Sequence, residues 1–282
     1  MLINLNKFLP KKDIFANSIE ISHTYLLIFL FFIQSSGNAQ KSTTPEKLYN
    51  DNGIIHIASR YLGVRYEAGT LEGIGPEKLR YFSDKFDCVT FVEYVLAEYL
   101  FQNSGKNKNQ TFEQILQNLR YRDREIDGYG SRIHYFTEWI LQNTENGILT
   151  DITSQLSDVK YNKKITFMSS HITLYPKLSD STSLSKVLES EIRINAQNWC
   201  YIPKDQISSV EQKIKSGDII AITTDIAGLD IVHTGFAYKK NDALYLLHAS
   251  ETEGKVVISQ QNLSAYLMSH KKQSGIMVLR CN

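Results

Sequence analysis

Five short runs rich in Val, Ile and Tyr lie between residues 218 and 280: DIIAITT (218–224), IVHTGFAY (231–238), ALYLLHAS (243–250), KVVIS (255–259) and IMVLR (276–280). Gly, Asp and Asn residues punctuate them, the pattern of consecutive strands with tight connections. Connections this short favour an antiparallel meander, because parallel neighbours need long crossovers. The N-terminal part, roughly 46–120, reads as helical. Its clearest segment, CVTFVEYVLAEYLF from Cys88 to Phe101, carries apolar residues at 88, 91, 92, 95, 96, 99 and 100. That spacing makes a helical stripe, with Thr90, Glu93, Tyr94, Ala97 and Glu98 on the other side. A second amphipathic helix is expected from Thr111 to Arg120, with Phe112, Ile115, Leu116 and Leu119 in step. Helices first and antiparallel strands second make an α+β chain.

Residues 121–200 lack clean periodicity. RYRDREIDGYGSRIHYFTEWI is a polar-aromatic mixture expected to end in a helix, and KKITFMSSHITLYPKL reads as strand followed by loop. A stretch this long without a clear period is expected to be a substrate-binding insertion. QNSGKNKNQ, 102–110, reads as an exposed loop.

At the N-terminus, Lys7, Lys11 and Lys12 precede the apolar run Tyr25–Ile33, followed by Gly37 and Ala39 as small residues near an exit point. This is signal-peptide order, and the run is too short for the ~20 residues that span a bilayer. Residues 1–39 are therefore expected to be removed. The remainder, 40–282, is expected to be one exported, periplasmic catalytic domain, monomeric and without a membrane anchor. The 282-residue chain has 31 basic and 30 acidic residues and a formal net charge of +1. Such a balance offers no concentrated basic patch for a nucleic acid. Of three cysteines, Cys200 and Cys281 are open to pairing with each other or to remaining reduced, and Cys88 is the candidate free thiol.

Cys88 stands at the expected helix start, directly after Asp87, a suitable N-cap. Unpaired N–H groups and the positive end of the helix dipole favour a thiolate there. The same N–H groups suit an oxyanion. His233 interrupts an apolar strand, and His248 ends the next one. Neighbouring antiparallel strands bring such residues together, so one imidazole can act as base while the other sets its tautomer. A zinc site made of the same three residues is the alternative chemistry, but the closely spaced ligand pairs of structural zinc sites are absent from the sequence. No metal or cofactor is expected.

The segments FDCVTFVEYVL, GDIIAITT, HTGFAY and LLHAS resemble the NlpC-type cell-wall cysteine hydrolases. More narrowly, YEAGTLE, FDCVTFVE, IDGYGSRIHYFTEWI, FMSSH and GLDIVHTGFA are similar to an N-acetylmuramoyl-L-alanine amidase-like branch, over about residues 50–280. The resemblance implies a papain-like core, with N-terminal helices packed on a C-terminal antiparallel sheet. It implies Cys88 as nucleophile, His233 as base and His248 as the orienting third member, acting on peptidoglycan fragments. Tyr66 falls near the oxyanion site, although Arg65 and Ala68-Gly69-Thr70 depart from the proline and tryptophan-glycine common there. The implied bond joins N-acetylmuramic acid to L-alanine. A γ-D-glutamyl endopeptidase of the same fold and a non-catalytic wall-fragment binder are the alternatives. Arg132, His134, Tyr135, Ser169, His171 and Thr234 are the expected substrate contacts, with Arg132 suited to a peptide carboxylate.

Overall fold

The computed structural model describes residues 53–103 and 110–282. The expected signal segment and the tip of the 102–110 loop lie outside the described residues. The helices are α1 (Ile54–Ser59), α2 (Cys88–Asn103), α3 (Phe112–Arg120), α4 (Phe136–Glu145), α5 (Thr153–Leu156), α6 (Phe167–Ser170), α7 (Ser181–Asn195), α8 (Ile207–Val210) and α9 (Leu263–Ser269). The strands are β1 (Arg65–Tyr66), β2 (Lys85–Phe86), β3 (Leu149–Asp151), β4 (Ile202–Pro203), β5 (Ile219–Thr224), β6 (Ile231–Lys240), β7 (Ala243–Ser250), β8 (Lys255–Ile258) and β9 (Gln273–Cys281). No described helix is long and apolar enough to cross a membrane.

The nine strands of the described residues join one sheet, in the order β2-β1-β8-β7-β6-β5-β9-β3, with β4 also paired to β9. The meander expected from the sequence runs from β5 to β8. β9 departs from it, crossing to the far side of β5 after α9. At the β6–β7 hairpin, Asn241 and Asp242 have φ of 50° and 61°. Two consecutive left-handed residues suit the right-handed twist of the flanking strands, and Asn and Asp tolerate that conformation best after Gly.

Alternation along the strands feeds two cores. Ile219 and Ala221 of β5 pack with Phe91, Val95 and Phe236 on the face covered by α2. Ile220 and Ile222 pack with Ile207, Leu263 and Leu267 of α8 and α9. Side chains point alternately to opposite faces of a strand, so a strand covered on both sides needs apolar residues at nearly every position. The sheet is mixed within an α+β fold, since β1 and β2 run parallel.

Three local expectations are corrected. Between α1 and α2 the chain is not helical but forms a loop carrying the two-residue strands β1 and β2. FMSSH is not a strand: Phe167–Ser170 is α6, followed by short 3-10 turns. Just before α6 the chain makes only the isolated bridge Ile165–Gly228 among the described residues. A strand without a partner ladder leaves its backbone groups unpaired, so local turns take over. The longest insertion element, α7, is capped by Asp180, whose carboxylate accepts from the Ser183 N–H at 2.8 Å. Finally, α2 is buried nearly all round, because Glu93 and Ala97 on its expected polar side are also inside.

Candidate active site

α2 begins where Asp87 turns the chain. The Asp87 carboxylate accepts from the Thr90 N–H at 2.8 Å, and the Thr90 hydroxyl accepts from the Asp87 N–H at 2.9 Å. This reciprocal cap satisfies donors that helix starts leave free and fixes Cys88 as the first helical residue. The N–H groups of Thr234 and of Cys88 itself lie toward the sulfur. Thr234 directly follows His233, so the helix start meets β6 where that histidine stands.

The thiolate expected at this helix start is not the resting form. Burial, reinforced by the charge of Asp87, pushes the Cys88 thiol up to about 12, outweighing the N–H groups that pull the other way. Desolvation penalises whichever form is charged. By the same cause His233 is lowered to about 4, with His270 adding to the effect, and His248 falls well below the ordinary histidine range. The resting site is therefore a neutral thiol beside neutral imidazoles.

His233 Nε2 and His248 Nδ1 are 2.6 Å apart, with the rings nearly perpendicular. β6 and β7 pair through Phe236–Leu247, which sets Gly235 opposite His248 and His233 two residues further along. A Cβ on Gly235 would stand 2.8 Å from both the His248 Cβ and the Leu247 carbonyl oxygen. Glycine here lets the second imidazole cross its neighbour strand to reach the first. Gly235→Ala is expected to displace His248 and lower turnover about a hundredfold, the scale of an ångström-sized misplacement. Steady-state kinetics beside a thermal melt check this; unchanged turnover would refute the role of the gap.

The histidine shifts also set a stability window. His233 has its folded pKa below its unfolded 6.5, so the unfolded chain takes up the proton first as pH falls. The stabilisation is complete above about 6.5 and is lost as pH falls toward about 4. At ~1.4 kcal/mol per unit the loss is about 3 kcal/mol. Urea unfolding at pH 7 and 4.5 should show His233→Asn losing clearly less than the wild type; equal losses would contradict the assignment.

Tyr66, at the end of β1, is raised by burial, with Cys88 and Asp87 next among the causes, so its hydroxyl keeps its proton. The structure adds two residues not anticipated from sequence. The Tyr266 ring of α9 lies 5.6 Å from the His248 ring, edge to face, and 4.4 Å from that of His270. Their signal was the i, i+4 pair in AYLMSH, which in sequence looks like any short amphipathic turn.

The expected substrate contacts are placed differently. Arg132 is 1% exposed, with ion pairs to Glu72 at 2.5 Å and Glu77 at 3.5 Å and a bond to the Leu71 carbonyl. Two internal carboxylates thus take the guanidinium expected to grip a ligand. His134 Nε2 lies 3.0 Å from the Tyr129 carbonyl. The Tyr135 hydroxyl donates to Glu191 and accepts from the Met168 N–H, while Ser169 donates to the same Glu191. Thr234 donates to the Ile220 carbonyl. His171 stacks on Phe167 at the protein surface. These side chains bind the insertion to itself and to the sheet, as does Asp230, whose buried carboxylate accepts from the Thr137 N–H and hydroxyl at the start of α4.

Cys88, Cys200 and Cys281 are all free thiols, so the 200–281 disulfide left open by the sequence is not formed. Among the described residues no group of three His, Cys, Asp or Glu side chains has the arrangement to hold a metal ion.

A family model described as N-acetylmuramoyl-L-alanine amidase-like (AmiA-like) matches residues 56–276. The chain is similar to the crystal structure of an N-acetylmuramoyl-L-alanine amidase from Bacteroides uniformis, at 41% identity and a TM-score of 0.76, covering 82% of this chain and 99% of that one. It is also similar to a structure from Bacteroides fragilis described as a putative xylanase, at 38% identity and a TM-score of 0.74, covering 80% and 99%. A Legionella pneumophila protein shares the fold at 24% identity and a TM-score of 0.58, covering 81% and 87%. No functionally curated protein matches the chain. With a family model spanning most of the chain and neighbours matched over nearly their whole length, the chain belongs to the N-acetylmuramoyl-L-alanine amidase-like family of peptidoglycan hydrolases.

Proposed function

We propose that this protein hydrolyses the amide between N-acetylmuramic acid and L-alanine, with Cys88 as nucleophile, His233 as base and His248 as the residue that orients it. The observation that carries the reading is the 2.6 Å contact between His233 Nε2 and His248 Nδ1, beside a helix-start cysteine. For His233 to serve as base through Nδ1, its Nε2–H donates to His248 Nδ1, which fixes the tautomer of both rings. Cysteine on a helix followed by two strand histidines also supports placing the chain among the papain-like, NlpC-type hydrolases.

Because thiol and imidazole are both neutral at rest, proton transfer accompanies attack. His233 Nδ1 takes the Cys88 proton as the sulfur bonds to the lactyl carbonyl carbon. The Cys88 N–H and the Tyr66 hydroxyl donate to the resulting oxyanion. The C–N bond then breaks, His233 returns the proton to the departing L-alanine nitrogen, and a thioester remains. Water, deprotonated by His233, hydrolyses the thioester and restores the thiol. Export directed by Tyr25–Ile33 belongs to the same proposal, and cell fractionation tests it.

Digestion of defined muropeptides, read by mass spectrometry, tests the bond. The expected products are the intact sugar and a peptide beginning with L-alanine. Recovery of L-Ala-D-Glu still attached to the sugar would overturn the amidase reading in favour of a γ-D-glutamyl endopeptidase.

A further inference from the structure

The ladder between β5 and β6 is regular except at one point. Ile222 pairs with His233, but Thr223 pairs with Ile231, so Val232 is an extra residue in β6. This β-bulge stands directly beside His233. Partners across a ladder share a face, so His233 lies on the face of Ile222, whose side chain packs with α8 and α9. Val232 packs against that same core, while Ile231 joins the other one. His248 stands between Leu247 and Ala249 of that other core, so alternation turns it to the face of Ile222 as well. Strict alternation counted from Ile231 would turn His233 away from His248. The extra residue brings the two imidazoles onto one face, the re-aiming that bulges beside active sites perform.

A bulge interrupts the ladder, so the register beyond it has to be fixed by other contacts. The insertion supplies them. The Asp230 carboxylate accepts from the Thr137 N–H at 2.8 Å and from the Thr137 hydroxyl at 2.9 Å. The Asp230 backbone carbonyl accepts from the Tyr161 hydroxyl at 2.8 Å. The Gly228 carbonyl accepts from the Thr166 and Phe167 N–H groups at 3.0 and 2.9 Å. Gly228 has φ of 74°, and a Cβ there would stand 3.0 Å from the Phe167 nitrogen, so this approach calls for glycine. Donors from separate stretches of the insertion thus grip residues 228–230, immediately before the bulge.

We propose that the insertion is a clamp that aims the base: Thr137 and Tyr161, acting through Asp230, are positioning residues for His233. The inference rests on the reading of His233 as base. Without the clamp, the short end of β6 beyond Val232 is free to slip, and the imidazole moves relative to both His248 and Cys88.

The test compares the wild type with Thr137→Val and Tyr161→Phe, each close to isosteric. Each is expected to lower kcat about tenfold and the two together about a hundredfold, the scale of an ångström-sized misplacement, with KM unchanged. The His233 ring signals in NMR spectra of the ligand-free protein are expected to shift, while those of His171 at the surface of the insertion stay in place. Ser190→Ala is the control for general loosening. It removes a hydrogen bond to Glu138 within the insertion and is expected to lower the melting temperature with kcat unchanged. A raised KM at constant kcat would show that the insertion only binds substrate, and would overturn the clamp. Unmoved His233 signals, or an equal loss of kcat in Ser190→Ala, would overturn it too. If the wild type leaves the muramoyl-alanine bond intact, the amidase reading falls and the ring signals alone decide the clamp.

Discussion

Cys88→Ala is expected to abolish amide hydrolysis, with turnover falling about a millionfold, the loss seen when a nucleophile is removed from a triad whose members act as a unit. The expectation follows from the resting state of the site. A thiol held at about 12 and an imidazole held at about 4 store no preformed ion pair, so in the proposed mechanism reactivity depends on the sulfur bonding to a carbonyl carbon while His233 accepts its proton. With alanine there is no atom to form the acyl intermediate. The fold should be unharmed: Cys88 is 4% exposed, and its backbone, held by the Asp87–Thr90 cap, is indifferent to the side chain. Equal melting temperatures and lost turnover are the expected pair of results. Retained turnover would refute the nucleophile, and a lowered melting point would show instead that the thiol is a packing group.

The second large effect concerns stability. Glu93 of α2 and Arg120 at the end of α3 form a pair at 2.7 Å, with side chains 3% and 2% exposed, and Arg120 also donates to the Arg80 carbonyl. Taking one charge from such a pair leaves the other buried without compensation, which costs about 3–5 kcal/mol. Glu93→Ala should therefore shift the urea midpoint strongly downward. Replacing both partners by apolar residues of similar size, Glu93→Leu with Arg120→Met, should recover most of that loss, since the pair itself contributes little beyond an apolar contact. A double variant no more stable than Glu93→Ala would show that the link to Arg80, rather than the ion pair, holds α3 against α2.

Glu93 also marks a boundary of what the chain reveals. Its period places it on the polar side of α2, and a carboxylate there is expected to face water. Burial came from α3 and the 60–87 loop closing over that side, and neither contact is encoded in the local pattern. The same cause separates the two halves of the site. The Asp87–Cys88 helix start is set by residues three apart and was legible at once. His233 and His248 were legible as a pair because a two-residue hairpin fixes the register of the strands that carry them. Tyr266 and His270 were not, because α9 reaches the histidines by a fold of the chain back over β7. Arg132 and Tyr135 look like binding groups in sequence for a related reason: their partners Glu72, Glu77 and Glu191 are some 55 to 60 residues distant, and an unpaired polar side chain in sequence reads as one awaiting a ligand.

By itself the sequence determined the strand runs of β5 to β9, the helix begun by Asp87 and the order of one cysteine and two histidines, all properties carried by residues within a few positions of one another. Tertiary structure decided their ionisation. The helix start on its own favours a thiolate, and an isolated histidine titrates near 6.5. Removing water from both reverses that preference, because the energy of a charge depends on everything around it, including groups far away along the chain. Tertiary structure also decided which polar residues were left facing open space beside the site, and those are the groups of the β7–β8 hairpin and α9 rather than Arg132, Tyr135 and Ser169 of the insertion.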